Sequence, residues 1–200
     1  MPARPDSPLP HSEKAQQIIQ HTNELLASGG YNGFSYADIA ELVKVRKASI
    51  HHHFPTKADL VKATVVAHRD ALRRGLQSLN EMNPDPLERL VTYCRIWADC
   101  IQKSNPPICI CAMLAAELPA VPAEVAAEVR GHFGDLHAWL AANLEQGAAQ
   151  GSLQLADSPA VEAATFMASI HGAMLAARAA GDASLFWQIA KRTTDQLRVV

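Results

Sequence analysis

The sequence predicts an all-α fold, with a three-helix head at the N-terminus and a larger helical domain after it. Three observations support this prediction. Apolar residues recur at helical spacing in one segment after another. Residues that start and stop helices separate those segments, and no segment alternates polar and apolar residues as a half-buried strand would. Hydrophobic residues make up 48% of the 200 residues and aromatic residues only 6%, which suits an alanine-rich helical core.

The head is predicted to contain three helices, over residues 13–28, 35–43 and 47–53. The first has an apolar face at helical spacing, and the other two are short and joined by a tight turn. Their ends are set by helix-capping and helix-breaking residues, which are Ser12, Gly29, Gly30, Ser35, Asp38 and Pro55. Four prolines within residues 1–11 indicate a disordered arm before the first helix.

Beyond the head, Thr56 and Asp59 cap a long helix predicted over residues 57–80. The block Asn83-Pro84-Asp85-Pro86 then breaks the chain. Further helical segments follow over residues 87–103, 108–118, 122–150, 160–180 and 183–200. We therefore divide the chain into an arm (1–11), a head (12–62), a connecting helix (63–82) and a C-terminal domain (83–200).

The charge distribution is informative only locally. A net charge of −2 is not that of a protein that coats nucleic acid over its whole surface. Residues 44–57, however, contain Lys44, Arg46, Lys47 and Lys57 and no acidic residue. The N-terminus lacks the apolar core of a signal peptide, and no stretch reaches the length of a membrane span, so we expect a cytoplasmic protein without a membrane partner. In that compartment the four cysteines are expected to be free thiols.

Two short helices joined by a tight turn are typical of a helix-turn-helix, whose second helix enters the major groove of DNA. The second helix here offers hydrogen-bond donors at Lys47, Ser49, His51 and His52. Lys57 begins the next helix, where a lysine and free backbone N–H groups together can hold a phosphate.

Residues 33–40 (GFSYADIA) and 45–60 (VRKASIHHHFPTKADL) closely resemble the signature of the TetR repressor family, and the match extends over about residues 14–62. The resemblance implies a helix-turn-helix DNA-binding domain, a C-terminal ligand-binding and dimerisation domain, and a homodimer that binds double-stranded operator DNA. It makes residues 47–53 the recognition helix and Phe54 a core residue, and it places His51 where the family usually has tyrosine. The expected DNA contacts are Ser35, Tyr36, Arg46, Lys47, Ser49, His51, His52 and Lys57.

Small residues along the segment 160–180 allow a second helix to approach closely. They belong either to ordinary core or to a dimer interface in which this helix and the last one pair with their copies as a four-helix bundle. Because a palindromic operator needs two reading heads, we expect the dimer. The interface residues predicted on this basis are Ala164, Ala168, Gly172 and Ala176.

The C-terminal domain also contains large apolar side chains mixed with a few polar ones, as in an effector pocket or in plain core. The residues expected to line a pocket are Trp97, Met113, His137, Phe166 and His171.

Cys109 and Cys111 have two interpretations: buried hydrophobes, or accessible thiols of low pKa that sense electrophiles. The segment 109–117 (CICAMLAAE) is similar to that of family members that sense reactive electrophiles, such as the N-ethylmaleimide reductase repressor. A helix start predicted there would lower the pKa of a thiol. Cys94 and Cys100 lie within a helix and are expected to be less reactive.

Several functional classes are disfavoured. Consecutive side chains on a helix diverge by about 100°, so His51, His52 and His53 cannot share one ion, and we expect no metal site. No nucleotide, nucleophile or metalloprotease motif is present, so we expect no cofactor and no enzyme activity. The sequence therefore predicts a repressor that a small-molecule or thiol-reactive effector releases from a palindromic operator. The alternative is a structural DNA-binding or adaptor protein that uses the same head without sensing a ligand.

Overall fold

The computed structural model describes residues 12–104 and 107–199. The arm predicted over residues 1–11 lies outside this range, as does Pro106. The described residues form nine α-helices and no extended strand, which confirms the all-α prediction. The helices are α1 (Glu13–Gly29), α2 (Tyr36–Val43), α3 (Lys47–His53), α4 (Lys57–Met82), α5 (Pro86–Gln102), α6 (Ile110–Ala116), α7 (Ala123–Ala149), α8 (Pro159–Ala180) and α9 (Ser184–Asp195).

Local capping explains where the helices of the head begin. Ser12 accepts a hydrogen bond from the N–H of Ala15, as predicted. Capping boxes form at the starts of α2 and α4, where Ser35 pairs with Asp38 and Thr56 pairs with Asp59. Because both boxes involve only side chains three residues apart, they could be predicted from the sequence.

Two elements are shorter than predicted. The helix α6 begins at Ile110, because Cys109 has an extended backbone (φ −63°, ψ 125°) and serves as its N-cap. The last helix ends at Asp195 and not at the C-terminus. Beyond it the backbone turns back, and the N–H of Gln154 donates to the carbonyl of Leu197 over 2.9 Å. This tertiary pairing, which helical periodicity does not reveal, ends α9.

The head packs α1, α2 and α3 around fully buried apolar side chains, among them Ile18, Ile39 and Ile50. The helix α4 packs against α1 of the head and then against α7 of the C-terminal domain. In that domain α8 packs against α7 and α9, and α5 packs against α7 and α9. The long α4 therefore joins the two parts of the molecule.

Two further contacts connect the head to the C-terminal domain. The N–H of Tyr31 donates to Glu117 Oε2 over 2.7 Å, at the C-terminal end of α6. The guanidinium of Arg178, on α8, donates to the carbonyls of Ala27 and Ser28 over 2.8 Å each. The C-terminal end of α1 is thus held by both α6 and α8.

The expectation that no segment could span a membrane needs a correction. The helix α8 has 22 residues and is long and apolar enough to cross a bilayer by length and composition alone. The core helix of a protein without a membrane span can pass the same test, and one-third of the apolar stretch of α8 is buried inside the protein.

Candidate nucleic-acid interface and sensor site

The recognition helix α3 is buried on one face and exposed on the other. Ile50 and Phe54 are buried in the head, which confirms Phe54 as a core residue. Arg46 and Lys47 are exposed at the start of the helix, and Ser49 is half-buried. Lys44 has a left-handed backbone (φ 54°) and its N–H donates to the carbonyl of Glu41 over 3.3 Å, which makes the turn between α2 and α3 tight. The basic side chains before and within α3 therefore face solvent.

A groove of about 380 Å³ lies between the N-terminal ends of α2, α3 and α4. It brings together five of the eight predicted DNA contacts. The lining residues are Phe34, Ser35, Tyr36, Ala37, Lys47, His51 and Lys57. An open groove beside an exposed basic helix has the geometry that a DNA backbone requires.

An apolar cavity of about 350 Å³ lies between the connecting helix α4 and α5 of the C-terminal domain. It is within the size range of small-molecule sites. Its lining residues are Asn23, His68, Ala71, Leu72, Gly75, Leu76, Leu79, Tyr93, Ile96, Trp97, Cys100 and His132.

A cluster of cysteines and histidines adjoins this cavity. Cys109 Sγ lies 3.6 Å from His68 Nε2 and 3.6 Å from His132 Nε2. Cys111 completes a set of four, whose ligand-type atoms all lie within 4.8 Å of one another. His68 comes from α4, Cys109 and Cys111 from the start of α6, and His132 from α7. Three helices that are distant in sequence therefore meet at this cysteine–histidine cluster.

Comparison with known proteins decides the family. The family model "Bacterial regulatory proteins, tetR family" matches residues 18–64. The model "Tetracyclin repressor-like, C-terminal domain" matches residues 86–192. The chain belongs to the TetR family. It is a DNA-binding transcriptional regulator with a helix-turn-helix head, and its relatives are regulators and not enzymes.

Solved and curated relatives agree with this assignment. A TetR-family regulator from Agrobacterium tumefaciens is 46% identical and superposes with a TM-score of 0.91, over 93% of this chain and 98% of that one. Reduced NemR from E. coli shares the fold at 19% identity, with a TM-score of 0.79 over 94% and 98% of the two chains. The transcriptional activator FasR from Mycolicibacterium smegmatis is 26% identical over 97 residues, which are 48% of this chain and 44% of FasR. The chain thus spans less than half of that curated relative.

For this TetR-family protein the structure corrects the expected role of Tyr36. Its side chain is only 9% exposed, and its hydroxyl donates to the carbonyl of Phe54 over 2.8 Å. Burial, and then the charges of Asp59 and Tyr31, raise the pKa of Tyr36 to about 12. Tyr36 therefore connects α2 to the end of α3, and its hydroxyl is already engaged by the carbonyl of Phe54.

Lys57 is also placed differently from a freely extended phosphate ligand. Its ammonium donates to the carbonyl of Phe34 and lies 4.1 Å from the centre of the Phe34 ring and 5.0 Å from that of Tyr31. Burial lowers the pKa of Lys57, although the charges of Glu117 and Asp38 oppose this effect. Lys57 lines the groove, but it also holds the loop before α2.

The remaining groove residues keep polar atoms near the surface. The hydroxyl of Ser35 accepts the capping N–H of Ala37 and donates to Asp38, so it is already engaged. His51 is exposed, and its Nδ1 lies 3.2 Å from the carbonyl oxygen of Pro55, to which it can donate. That hydrogen bond leaves Nε2 of His51 for another partner, such as a phosphate. His52 is exposed beside it.

Of the expected pocket residues, only Trp97 lines the cavity. Met113 Sδ lies 3.5 Å from the Arg178 guanidinium, and His137 contacts the carbonyl of Ala160 over 3.0 Å. Phe166 is buried beside a separate cavity of about 420 Å³ formed by α8 and the C-terminal segment. Met113 and His137 therefore line neither cavity, and Phe166 lines the second cavity and not the first.

His171 belongs instead to the surroundings of the cluster. Its Nδ1 donates to the carbonyl of Met167 over 2.8 Å, and its ring interacts with Cys109. Burial opposes protonation of His171, but the hydrogen bond and the charge of Cys109 outweigh burial and raise its pKa.

The two clustered cysteines differ in acidity. The hydrogen bond from Cys111, followed by those from His132, His171 and His68, holds the pKa of Cys109 well below its usual value despite burial. The same pairing, together with burial, raises the pKa of Cys111. Burial also raises the pKa of Cys94, to about 12, and that of Cys100. The lowered pKa of Cys109 therefore arises from neighbouring side chains and not from a helix end.

The expected accessibility of these thiols was wrong. Cys109 is 1% exposed and Cys111 is fully buried. His68 and His132, which the sequence analysis missed, stand between Cys109 and the cavity. No local motif includes them, since His68 lies on α4 and His132 on α7, far along the chain from the two cysteines. The cluster also replaces the expectation of no metal site with the proposal made below.

Proposed function

We propose that this TetR-family protein is a homodimeric repressor, released from a palindromic operator by a small-molecule or thiol-reactive effector. One observation carries the proposal. The helix α4 begins in the groove of the head, at Lys57, and farther along it carries His68, which lines both the cavity and the cysteine–histidine cluster. A ligand that displaces α4 at the cavity changes the position of the head through a continuous helix. Such a regulator acts in the bacterial cytoplasm, where its DNA lies.

The DNA-binding part is tested by removing single positive charges. Lys47→Ala should weaken operator binding and reduce the slope of log K against log salt by about 0.9 for each lost phosphate contact. Lys57→Ala should do the same, with an additional loss of stability because Lys57 also binds the loop at Phe34. Lys103→Ala is the matched control, since it removes the same charge from an exposed position at the end of α5. Wild-type binding and salt dependence in both head variants would refute the assignment of the groove.

The dimer is supported by one face of α8. Val161 and Leu175 are 48% and 51% exposed, although both are large and apolar. Ala164, Ala168 and Gly172 are exposed at helical spacing between them, and Ala176 is partly buried. Such an apolar stripe on a protomer is typical of an interface. With α9 beside it, α8 can form a four-helix bundle with a second copy.

The release step is supported by the position of Cys109 behind the cavity. An α,β-unsaturated carbonyl compound that enters the cavity would meet the thiolate once His68 or His132 moves aside. The sulfur would bond to the β-carbon, the C=C electron pair would shift to the α-carbon, and that carbon would take a proton from an imidazolium or from water. The added bulk would separate α6 from α4 and α7.

An assay with N-ethylmaleimide tests this step. Treatment should abolish operator binding by the wild type and by Cys100→Ser, whose cysteine lines the same cavity but lies outside the cluster. Cys109→Ser should keep its DNA binding after treatment, and mass spectrometry should show no adduct on the peptide that contains residue 109. A treated Cys109→Ser protein that still leaves DNA would assign release to another residue or to a non-covalent ligand.

The name of FasR as an activator makes the direction of regulation a separate question. We propose repression, and a reporter gene behind the operator decides it, since deletion of a repressor raises expression whereas deletion of an activator lowers it. A structural DNA-binding protein without a sensor remains the alternative, but such a protein needs neither the cavity nor the buried polar cluster.

A further inference from the structure

We infer that His68, Cys109, Cys111 and His132 form a binding site for one zinc ion per protomer. The four residues supply two imidazole nitrogens and two sulfurs, and these atoms all lie within 4.8 Å of one another. Cys109, Cys111 and His132 are buried, and His68 is half-buried.

The distances fit tetrahedral coordination. With a Zn–S bond of about 2.3 Å and a Zn–N bond of about 2.05 Å, a tetrahedral angle separates sulfur from nitrogen by about 3.6 Å. Cys109 Sγ lies 3.6 Å from Nε2 of both His68 and His132. No pair of ligand atoms is more than 4.8 Å apart, so each pair has to close by at most about 1.5 Å to reach a tetrahedral edge of about 3.4–3.8 Å. A side-chain rotation of that size needs no movement of a helix.

The backbone at the start of α6 allows both cysteines to take part. Within a helix, residues two apart point away from each other. Cys109, however, is the N-cap with an extended backbone, and only Cys111 lies inside the helix. This change of backbone conformation between the two residues lets both sulfurs face the same point.

The choice of ion follows from the ligands. Two thiolates and two imidazoles form the tetrahedral set that zinc prefers, and no carboxylate belongs to the cluster to attract magnesium or calcium. Cuprous ion also binds thiolates, and the experiment below separates the two ions.

Ordinary core packing does not account for these residues. His132 is 2% exposed, and its Nδ1 has no hydrogen-bond partner among the described residues. Leaving a buried polar atom unpaired disfavours folding, so an apolar residue would serve a plain core better. Nε2 of His132 is directed at Cys109 Sγ, the atom that would share the ion. His171, whose Nδ1 is held by the carbonyl of Met167, adjoins Cys109 as an outer partner that can adjust the charge on its sulfur.

The cavity gives the ion a way in. His68 and His132 both line it, so an ion in the cavity meets the two imidazoles before the two sulfurs. Once bound, the ion would join α4, α6 and α7 at one point. The other end of α6 holds the head through Glu117 and Tyr31. A consequence for DNA binding rests on the proposed function, whereas zinc binding itself does not.

Metal binding is measured on the full chain after treatment with a chelator. We expect the wild type to take up one Zn²⁺ per protomer by native mass spectrometry. We expect Co²⁺ at the same site to give the strong absorption of thiolate-to-cobalt charge transfer. Cys109→Ser, Cys111→Ser and His132→Gln should each weaken zinc binding by more than about 100-fold, and the two cysteine variants should also reduce the absorption, because each removes one of the two thiolates. Cys100→Ser, and His137→Gln on the same helix as His132, should behave as the wild type.

Several results would overturn the zinc site. One is the absence of binding at micromolar zinc, and another is binding that survives all three cluster variants. Binding that disappears only when His52 is changed to Ala would place the ion on the exposed histidines of α3. Retention of Cu(I) without Zn²⁺ would refute the choice of ion. His68→Gln is a further variant for the case that a buried substitution prevents folding, because His68 is half-buried and its replacement disturbs the core least.

Operator binding is then compared with and without zinc. A change in DNA affinity that the cluster variants abolish would show that the ion regulates the head. Stoichiometric zinc with unchanged DNA affinity would leave the site intact and refute its coupling to regulation. If DNA binding itself is absent in every sample, the proposed function fails while the zinc result stands.

Discussion

Tyr36 shows how a single residue can belong to the recognition surface by position and to the core by contact. It lines the groove of the head, yet its hydroxyl is bonded to the carbonyl of Phe54, the residue that ends α3. Its ring lies 4.6 Å from that of His51, centre to centre. Tyr36 therefore fixes the orientation of α3 relative to α2.

Tyr36→Phe should lower the free energy of unfolding by about 1 kcal/mol at neutral pH, because it removes one buried hydrogen bond. Since folding raises the pKa of Tyr36 from 10.0 to about 12, its ionisation disfavours the folded state. The stabilisation contributed by Tyr36 is complete below pH 10.0 and is lost as the pH rises toward 12. Urea unfolding at neutral pH and above pH 10.0 should show the two proteins converging at high pH. A difference in unfolding free energy that stays constant with pH would mean that folding does not change the pKa of Tyr36.

The capping residues and the core residue Phe54 could be predicted from the sequence, whereas the orientations of Tyr36 and Lys57 could not. A capping box depends on atoms within four residues of one another. The partners of Tyr36 and Lys57 lie 18 and 23 residues away. The exposure implied by a family signature therefore has to be checked against the tertiary contacts.

At the scale of helices, α4 and α7 are joined by a charged clamp beside the cysteine–histidine cluster. Arg69 Nε donates to Asp135 over 2.7 Å, and its Nη1 donates to Glu128 over 2.8 Å. Gly131 permits this arrangement, since a Cβ there would lie 2.3 Å from the guanidinium carbon of Arg69. Burial alone would raise the pKa of Asp135, but the hydrogen bonds from Arg69 and Arg73 outweigh burial and lower it.

Asp135→Asn should destabilise the protein by about 1–2 kcal/mol at neutral pH, since the Asp135 carboxylate is only 24% exposed and binds two arginines. A carboxyl whose pKa is lowered by folding stabilises the protein above its unfolded pKa, and this contribution is lost as the pH falls through the folded value. The difference between wild type and variant should therefore shrink below pH 3.8. Thermal unfolding over a pH series measures it.

Asp70→Asn is the control for this clamp. Asp70 pairs with Arg73 over 3.4 Å, but both side chains are more than two-fifths exposed, so we expect no measurable change. Equal destabilisation by both substitutions would show that the clamp contributes no more than a surface ion pair.

The same helices explain why the site was only partly predictable. The C-x-C pair at residues 109 and 111 is visible in the sequence, and so is the break before it. The histidines that complete the cluster depend on how α4 and α7 cross α6, and that crossing is set by packing throughout the domain. Periodicity identifies helices but does not give their mutual rotation.

At the scale of the whole molecule, the apolar stripe on α8 predicts that two copies of the chain form a dimer. Ala168→Glu and Gly172→Arg should each yield monomers that no longer bind a palindromic operator, because a charge would be buried at the centre of the interface. Apart from its own stretch of α8, a Cβ at Gly172 would have no described atom of the same protomer within 4 Å, so the substitution should leave the protomer folded. Light scattering after size-exclusion chromatography measures the mass. Ala127→Glu, at an exposed position on α7, should remain dimeric. Dimers in both α8 variants would move the interface elsewhere.

The contact of Arg178 with the end of α1 is one of the links between the head and the C-terminal domain. Arg178, on α8, holds the head in place, because it donates hydrogen bonds to the carbonyls of Ala27 and Ser28 at the end of α1. Arg178 and Ser28 are exposed, so water can replace the guanidinium when these hydrogen bonds break and the contact opens. Opening then costs about 1 kcal/mol per hydrogen bond and not the full desolvation of a buried group. A ligand that binds the open form some tens of times more tightly than the closed form could supply such an energy. In the proposed release from the operator, such a contact would hold the resting position of the head and would yield to one small molecule.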